Sequence, residues 1–281
     1  LLNIKDNVIE EVSLPRRQFK MLEKELFLYR EVSSTNSIAQ HMARSGAVEG
    51  TIVLSSLQTS GMGRMKRQWA CPAGQGILMS IVLRPEIDVQ LVPQLTLLCG
   101  VVVAETIRQT TGCEAGIKWP NDIVIGGKKV CGILAQSSFT GPAPLHVIMG
   151  IGINVNQTYD QLPLDCRKTS TSLKLELGQR FSRLRVLEQF IILWDKNFKS
   201  FLKGGHSYLR PKWIANNVTL GREVTINKGN ELRQGLAVDI SERGGLIVSF
   251  ADGSTEEFLA EDLSLGKAHY GQKSRIKALK K

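Results

Sequence analysis

Residues 51–83 contain three consecutive pieces: Thr51-Ile-Val-Leu54, then Leu57-Gln-Thr-Ser-Gly-Met-Gly-Arg-Met-Lys-Arg-Gln-Trp69, then Ile77-Leu-Met-Ser-Ile-Val-Leu83. The outer two are apolar runs of strand length and read as buried strands. The loop between them carries Gly61, Gly63, Arg64, Lys66 and Arg67. Glycines let backbone N–H groups approach an anion. Arginines add planar, permanent charge suited to carboxylate or phosphate. A cradle for a phosphorylated or carboxylate-bearing small molecule and a mobile basic surface loop both fit, and this stretch alone does not choose between them.

Upstream, Leu26-Phe27-Leu28-Tyr29 and a piece around Ile9, Val12 and Leu14 read as extended segments. Ser33-Ser34-Thr35-Asn36 precedes the helical spacing Ile38, Ala39, Met42, Ala43, which predicts a helix with a hydroxyl or amide cap and a stop at Gly46. The alternative is that the free donors of this helix start hold the polar head of a ligand. Downstream, Leu91–Thr111 predicts a long helix ended by Gly112. The runs Ile117–Ile125 and Val130–Ala135, joined by Gly126-Gly127, predict a β-hairpin. Leu145–Val155 reads as a strand, Leu184–Leu202 as an amphipathic helix and Tyr208–Asn216 as a short helix. Beyond about Val218 the texture changes to short alternating segments separated by Gly229-Asn230, Gly244-Gly245 and Asp252-Gly253, which suggests a small β-barrel of the SH3 type.

The composition, 42% hydrophobic and 22% charged over 281 residues, is that of a globular chain able to bury a core without staples. The run Leu95–Ala104 is too short and interrupted to cross a bilayer, and no export leader opens the chain. Five cysteines form no Cys-x-x-Cys pair and four histidines show no ligand spacing, so reduced thiols and no structural zinc are expected, as in a cytoplasmic protein. The net charge is +10, and all six charged residues after Asp262 are basic. That tail reads as a solvated segment or as a contact for an acidic partner.

The series Ser34-Thr35-Asn36, Gly61-x-Gly-Arg64 with Trp69, Lys118-Trp-Pro-Asn-Asp122, Lys129 with Gly132-Ile-Leu134, and Gly150-x-Gly-Ile-Asn154 resembles the biotin–protein ligase family from about Phe27 to Leu265. The resemblance implies an α+β fold. Its parts are a mixed-sheet catalytic domain of the class II aminoacyl-tRNA synthetase-like type (1–217), a small SH3-like domain (218–267) and a basic tail (268–281). It implies a two-step reaction, in which biotin and ATP give biotinyl-5′-adenylate and a lysine of a biotin carboxyl carrier domain then takes the biotin. Mg²⁺ would accompany ATP. By motif, Ser34, Thr35, Asn36 and Gln58 would bind the biotin ring, and Gly61, Met62, Gly63 and Arg64 would close over biotin and the acyl phosphate. Gly150 and Gly152 would let backbone approach the ligand. Arg64, Arg67, Trp69, Lys118, Asn121 and Asn154 would handle the nucleotide. Lys129 would contact both biotin carboxylate and α-phosphate, with Arg64 the second catalytic cation.

Alternatives stand beside these roles. Lys129 also reads as a solvated hairpin lysine, Trp69 as core, Trp119-Pro120 as structural wall, Asp122 as a metal ligand or a turn residue, and Gly150 and Gly152 as a strand bulge. The family often has arginine where this chain has Met62, and glycine where it has Lys66. A side chain at Lys66 restricts positive φ. A lipoate- or octanoate-transferring ligase shares the fold, and a biotin-sensing DNA-binding regulator is a further alternative. Repressors of the family carry an N-terminal winged helix, for which the residues before Ser34 are too few, so DNA binding is not expected of them. The motifs leave open whether the chain works as a monomer or a homodimer.

Overall fold

Apolar residues alternate across two faces in the long strands, and each face finds a different helical cover. In the computed structural model, residues 8–10, 25–140, 143–228, 231–259 and 262–265 are described. The expected extended piece around Val12 and Leu14 and the basic tail 268–281 lie outside them.

The first sheet has eight strands: β1 (Val8–Glu10), β2 (Leu26–Val32), β3 (Ile52–Gln58), β4 (Gly76–Leu83), β5 (Gly116–Lys118), β6 (Asp122–Ile125), β7 (Lys128–Thr140) and β8 (Ala143–Asn154). Their order is β1-β2-β3-β4-β8-β7-β6-β5, with β2 parallel to β3 and the other neighbours antiparallel. α1 (Thr35–Arg44) crosses from β2 to β3 and covers one face, packing with Tyr29, Val53, Val82 and Ile148. α2 (Val92–Thr111) and α4 (Arg183–Asn216) cover the other, over Ile81, Met149, Ile151 and Ile133. β4 therefore lies between two layers, and all eight of its residues are buried.

α2 ends where expected, on Gly112 at φ 73°. The helix 89–111 is long and apolar enough to cross a membrane by composition, more than the run Leu95–Ala104 suggests, but most of it is buried within the protein. α4 breaks at Gly205 (φ 51°, ψ −136°), so the two expected helices are one element with a kink. Gly126 and Gly127, at φ 57° and 80°, form the predicted hairpin turn between β6 and β7.

Two expectations change. Residues 117–125 are not one run: Trp119-Pro120-Asn121 turns the chain between β5 and β6 and sets Lys118 directly opposite Asp122. Ser34 makes no capping bond at α1; the first free N–H there, on Thr35, donates instead to Gln58 Oε1 at 2.7 Å. A short helix α3 (Leu173–Leu177) also went unread.

The second sheet is five-stranded and antiparallel: β9 (Glu223–Lys228), β10 (Glu231–Ile240), β11 (Leu246–Ser249), β12 (Thr255–Phe258) and β13 (Asp262–Leu265), ordered β12-β11-β10-β9-β13. It supports the first part of the chain at Trp119. The backbone N–H of Trp119 donates to Thr219 Oγ1 at 2.9 Å, and its indole N–H donates to the Gly244 carbonyl at 3.1 Å. Gln94 on α2 donates to the Glu242 carbonyl. Trp119 is thus structural wall, tying the turn after β5 to the second sheet.

Candidate active site

Strand register places the small residues of β4, β7 and β8 in rows. Gly150 lies between Ser80 on β4 and Leu134 on β7, and Gly152 between Leu78 and Gly132. Gly132 in turn opposes Asp122 on β6. Successive residues of a strand alternate faces, so Ser80, Gly150, Gly152, Gly132, Gln136 and Asp122 all lie on the face that α1 shares. A cavity of about 780 Å³ opens there.

One end of it is a polar floor. The Thr35 N–H and hydroxyl both donate to Gln58 Oε1, at 2.7 and 3.0 Å. The fully buried Ser80 hydroxyl lies 2.6 Å from Asn36 Oδ1 and 2.8 Å from Thr35 Oγ1, and Asn36 Nδ2 donates to Gln136 Oε1 at 2.7 Å. Gly150 is the seat of Asn36: a Cβ on it would fall 2.2 Å from Asn36 Oδ1. It is a seat for a side chain rather than a bulge, since β8 pairs with β4 in unbroken register there.

The other end is cationic. Lys129 Nζ is 2.6 Å from Asp122 Oδ1 and 5.5 Å from the Trp69 ring centre. Its backbone is clamped: its N–H donates to the Thr169 carbonyl and its carbonyl accepts from the Thr171 N–H, each at 2.8 Å. Trp69 packs against the two facing glycines, where a Cβ on Gly152 would fall 2.4 Å from its ring and one on Gly132 would fall 2.9 Å away. Arg64 Nη1 donates to Asn121 Oδ1 at 3.2 Å, and Asn121 Nδ2 donates to the Ile133 carbonyl at 2.7 Å. Arg67 and Lys118 complete the cationic wall, and Thr225, Asn227 and Leu232 of the second sheet also face the cavity.

The loop from Gly61 to Trp69 is folded back on itself. Trp69 N–H donates to the Gly61 carbonyl and Gly63 N–H to the Arg67 carbonyl, at 2.8 and 2.7 Å. The Gly63 amide is therefore spent inside the loop, and charge from this segment reaches the cavity through Arg64 and Arg67 rather than through that N–H. Met65 and Lys66 form the tip at φ 52° and 59°, left-handed backbone held by residues with side chains. Lys66 thus adopts the conformation its side chain disfavours.

Of the expected site residues, Ser34, Thr35, Asn36, Gln58, Met62, Gly63, Arg64, Arg67, Trp69, Lys118, Asn121, Asp122, Lys129, Gly150 and Gly152 all face this cavity. Two do not. Gly61 is buried beneath the Trp69 carbonyl and Gln58. Asn154 faces inward, where its Nδ2 donates to the Thr171 carbonyl and its Oδ1 accepts from Gln157. Gln157 also donates to Cys71 Sγ at 3.1 Å, and burial pushes that thiol up to about 11 against the pull of Arg183. Asp122 is held by Lys129, and among the described residues no group of three His, Cys, Asp or Glu could hold a metal ion. Sequence reasoning missed Ser80 and Gln136, which look like ordinary strand residues.

Residues 28–154 match the model of the Biotin/lipoate A/B protein ligase family, and residues 219–266 match that of the Biotin protein ligase C terminal domain. The bifunctional ligase/repressor BirA of Bacillus spizizenii is 36% identical over 240 residues, which is 85% of this chain and 74% of that protein. The biotin–[acetyl-CoA-carboxylase] ligase of Mycobacterium tuberculosis is 32% identical, over 79% of this chain and 82% of that one. Among solved structures, the biotin protein ligase from Aquifex aeolicus in complex with biotin and ATP superposes with a TM-score of 0.74 at 29% identity. That match covers 86% of this chain and 99% of the other.

Proposed function

The chain belongs to the biotin protein ligase family, and from that premise we propose how its cavity works as an ATP-dependent biotin–protein ligase. The observation that carries the reading is one cavity with a hydrogen-bonding floor at one end and a cationic wall at the other. A ureido ring offers N–H donors and a carbonyl acceptor, which suits Thr35, Asn36 and Gln58. The biotin carboxylate and the triphosphate suit Lys129, Arg64, Arg67 and Lys118.

In the first step a carboxylate oxygen of biotin attacks the α-phosphorus of ATP, and the bond to pyrophosphate breaks. Two anions meet there, so fixed positive charge in a site shielded from water lowers the barrier. Lys129 fills that role, because its clamped backbone and Asp122 hold its ammonium in place before substrate arrives. In the second step the neutral amine of a carrier lysine attacks the acyl carbon and AMP leaves, the ammonium proton passing to solvent. The self-bonded loop 61–69 serves as the lid that keeps water from the adenylate. Mg²⁺ would enter as the counter-ion of the nucleotide phosphates.

We read 1–217 as the catalytic domain, 218–267 as an SH3-like domain and a biotin carboxyl carrier protein as the partner. The five free thiols suit a cytoplasmic setting. The polar floor favours biotin over lipoate, whose dithiolane offers no partner to the N–H and lone pair that Asn36 has left. Competing the two acids in a pyrophosphate-release assay tests this: biotin is expected to win, and a preference for lipoate would overturn the reading.

A further inference from the structure

The ring-binding amide of Asn36 is itself held by two residues that do not face the cavity. Ser80 and Gln136 sit on β4 and β7, the two neighbours of β8, and flank the Gly150 seat from opposite sides. Ser80 is fully buried and Gln136 half-buried. A carboxamide has a donor end and an acceptor end. Here Gln136 Oε1 takes a proton from Asn36 Nδ2 at 2.7 Å, and Ser80 approaches Oδ1 at 2.6 Å. That leaves one N–H and one lone pair of Asn36 for a ligand, in a defined order.

Neither partner alone enforces the order. A hydroxyl donates or accepts, and Gln136 could rotate its amide to donate instead. Turning both amides together would give a second register, in which Asn36 presents its oxygen where it now presents nitrogen. A cyclic urea distinguishes the two, because its carbonyl and N–H groups face the wrong ends of the turned amide.

We infer that Gln136 and Ser80 are positioning residues that seat the Asn36 carboxamide over Gly150, and that the register in which Gln136 accepts from Asn36 is the one that binds a cyclic urea, which gives the enzyme its selectivity. The inference rests on the biotin-ligase reading and adds to it. It distinguishes an acceptor at position 136 from any other side chain of that size. Glutamate is acceptor-only and locks the present register. Leucine removes the partner.

The experiment measures biotin-dependent pyrophosphate release with ATP saturating. Gln136→Leu raises the KM for biotin about five- to tenfold, as for one misplaced neutral hydrogen bond, with the KM for ATP unchanged. Gln136→Glu keeps the wild-type KM for biotin. Ser80→Ala raises it in the same sense as Gln136→Leu, and thermal melts establish that each variant is folded. A purely packing role would make glutamate at least as harmful as leucine, or would move both KM values together, and either result overturns the proposal. Absence of biotin-dependent release from the wild-type protein would strike the biotin-ligase reading itself, which separates the two failures.

Discussion

The polar floor and the basic loop flank the same cavity but are built in opposite ways. The floor is buried, its side chains bonded to one another across β3, β4, β7 and α1, and its glycine at 150 leaves no room for a methyl. The loop is exposed at its tip, is closed by its own backbone bonds, and places Met65 and Lys66 in left-handed backbone. Left-handed backbone costs a residue with a side chain about 1–2 kcal/mol, so the tip is held by closure of the loop and not by local preference. In the proposed mechanism selectivity belongs to the buried floor and cover to the exposed loop, with the chemistry between them at Lys129.

The largest expected effect is there. Lys129→Ala removes the cation held by a clamped backbone between the two ends and is expected to slow adenylate formation by about 10²–10³-fold, as for loss of one preorganised charge donor. Pyrophosphate release near the wild-type rate would place the catalytic charge elsewhere, with Arg64 as the next position to change.

A smaller effect sets the two regions against each other directly. Gly150→Ala drives a methyl into Asn36 Oδ1, so it is expected to raise the KM for biotin at least tenfold and to destabilise the fold by about 1–3 kcal/mol. Gly63→Ala is its counterpart in the loop. Gly63 is extended at φ −103°, and a Cβ there meets only the Arg67 carbonyl at 3.5 Å. That change is expected to leave stability within about 0.5 kcal/mol in urea unfolding. Equal sensitivity at 150 and 63 would erase the distinction between floor and loop.

Much of this was legible because it is local. The apolar runs of β4 and β8, the Gly112 stop of α2, the Gly-Gly turn before Lys129 and the break in α4 all follow from side-chain period and turn chemistry within a few residues. The motif series also brought most of the site to one cavity. What could not be read depends on distance. Ser80 and Gln136 lie 44 and 100 positions from Asn36 and carry no signal of their own. The N–H of Thr35 finds Gln58 on the next strand, so Ser34, the local candidate, is not needed as a cap. Asn154 sits in a site motif, and alternation along β8 puts it on the face of Gly150 and Gly152, yet it does not line the cavity. The competing attractions of Thr171 and Gln157, which hold it inward, are contacts between segments. Gly63 carried the signature of an anion cradle, yet its N–H closes the loop on Arg67.

The most direct test is mass spectrometry of the protein mixed with ATP, Mg²⁺ and biotin in the absence of any carrier. Biotinyl-5′-adenylate, formed with the wild-type chain and strongly reduced with Lys129→Ala, is the predicted result. No adenylate from a folded wild-type chain that binds both biotin and ATP would contradict the account.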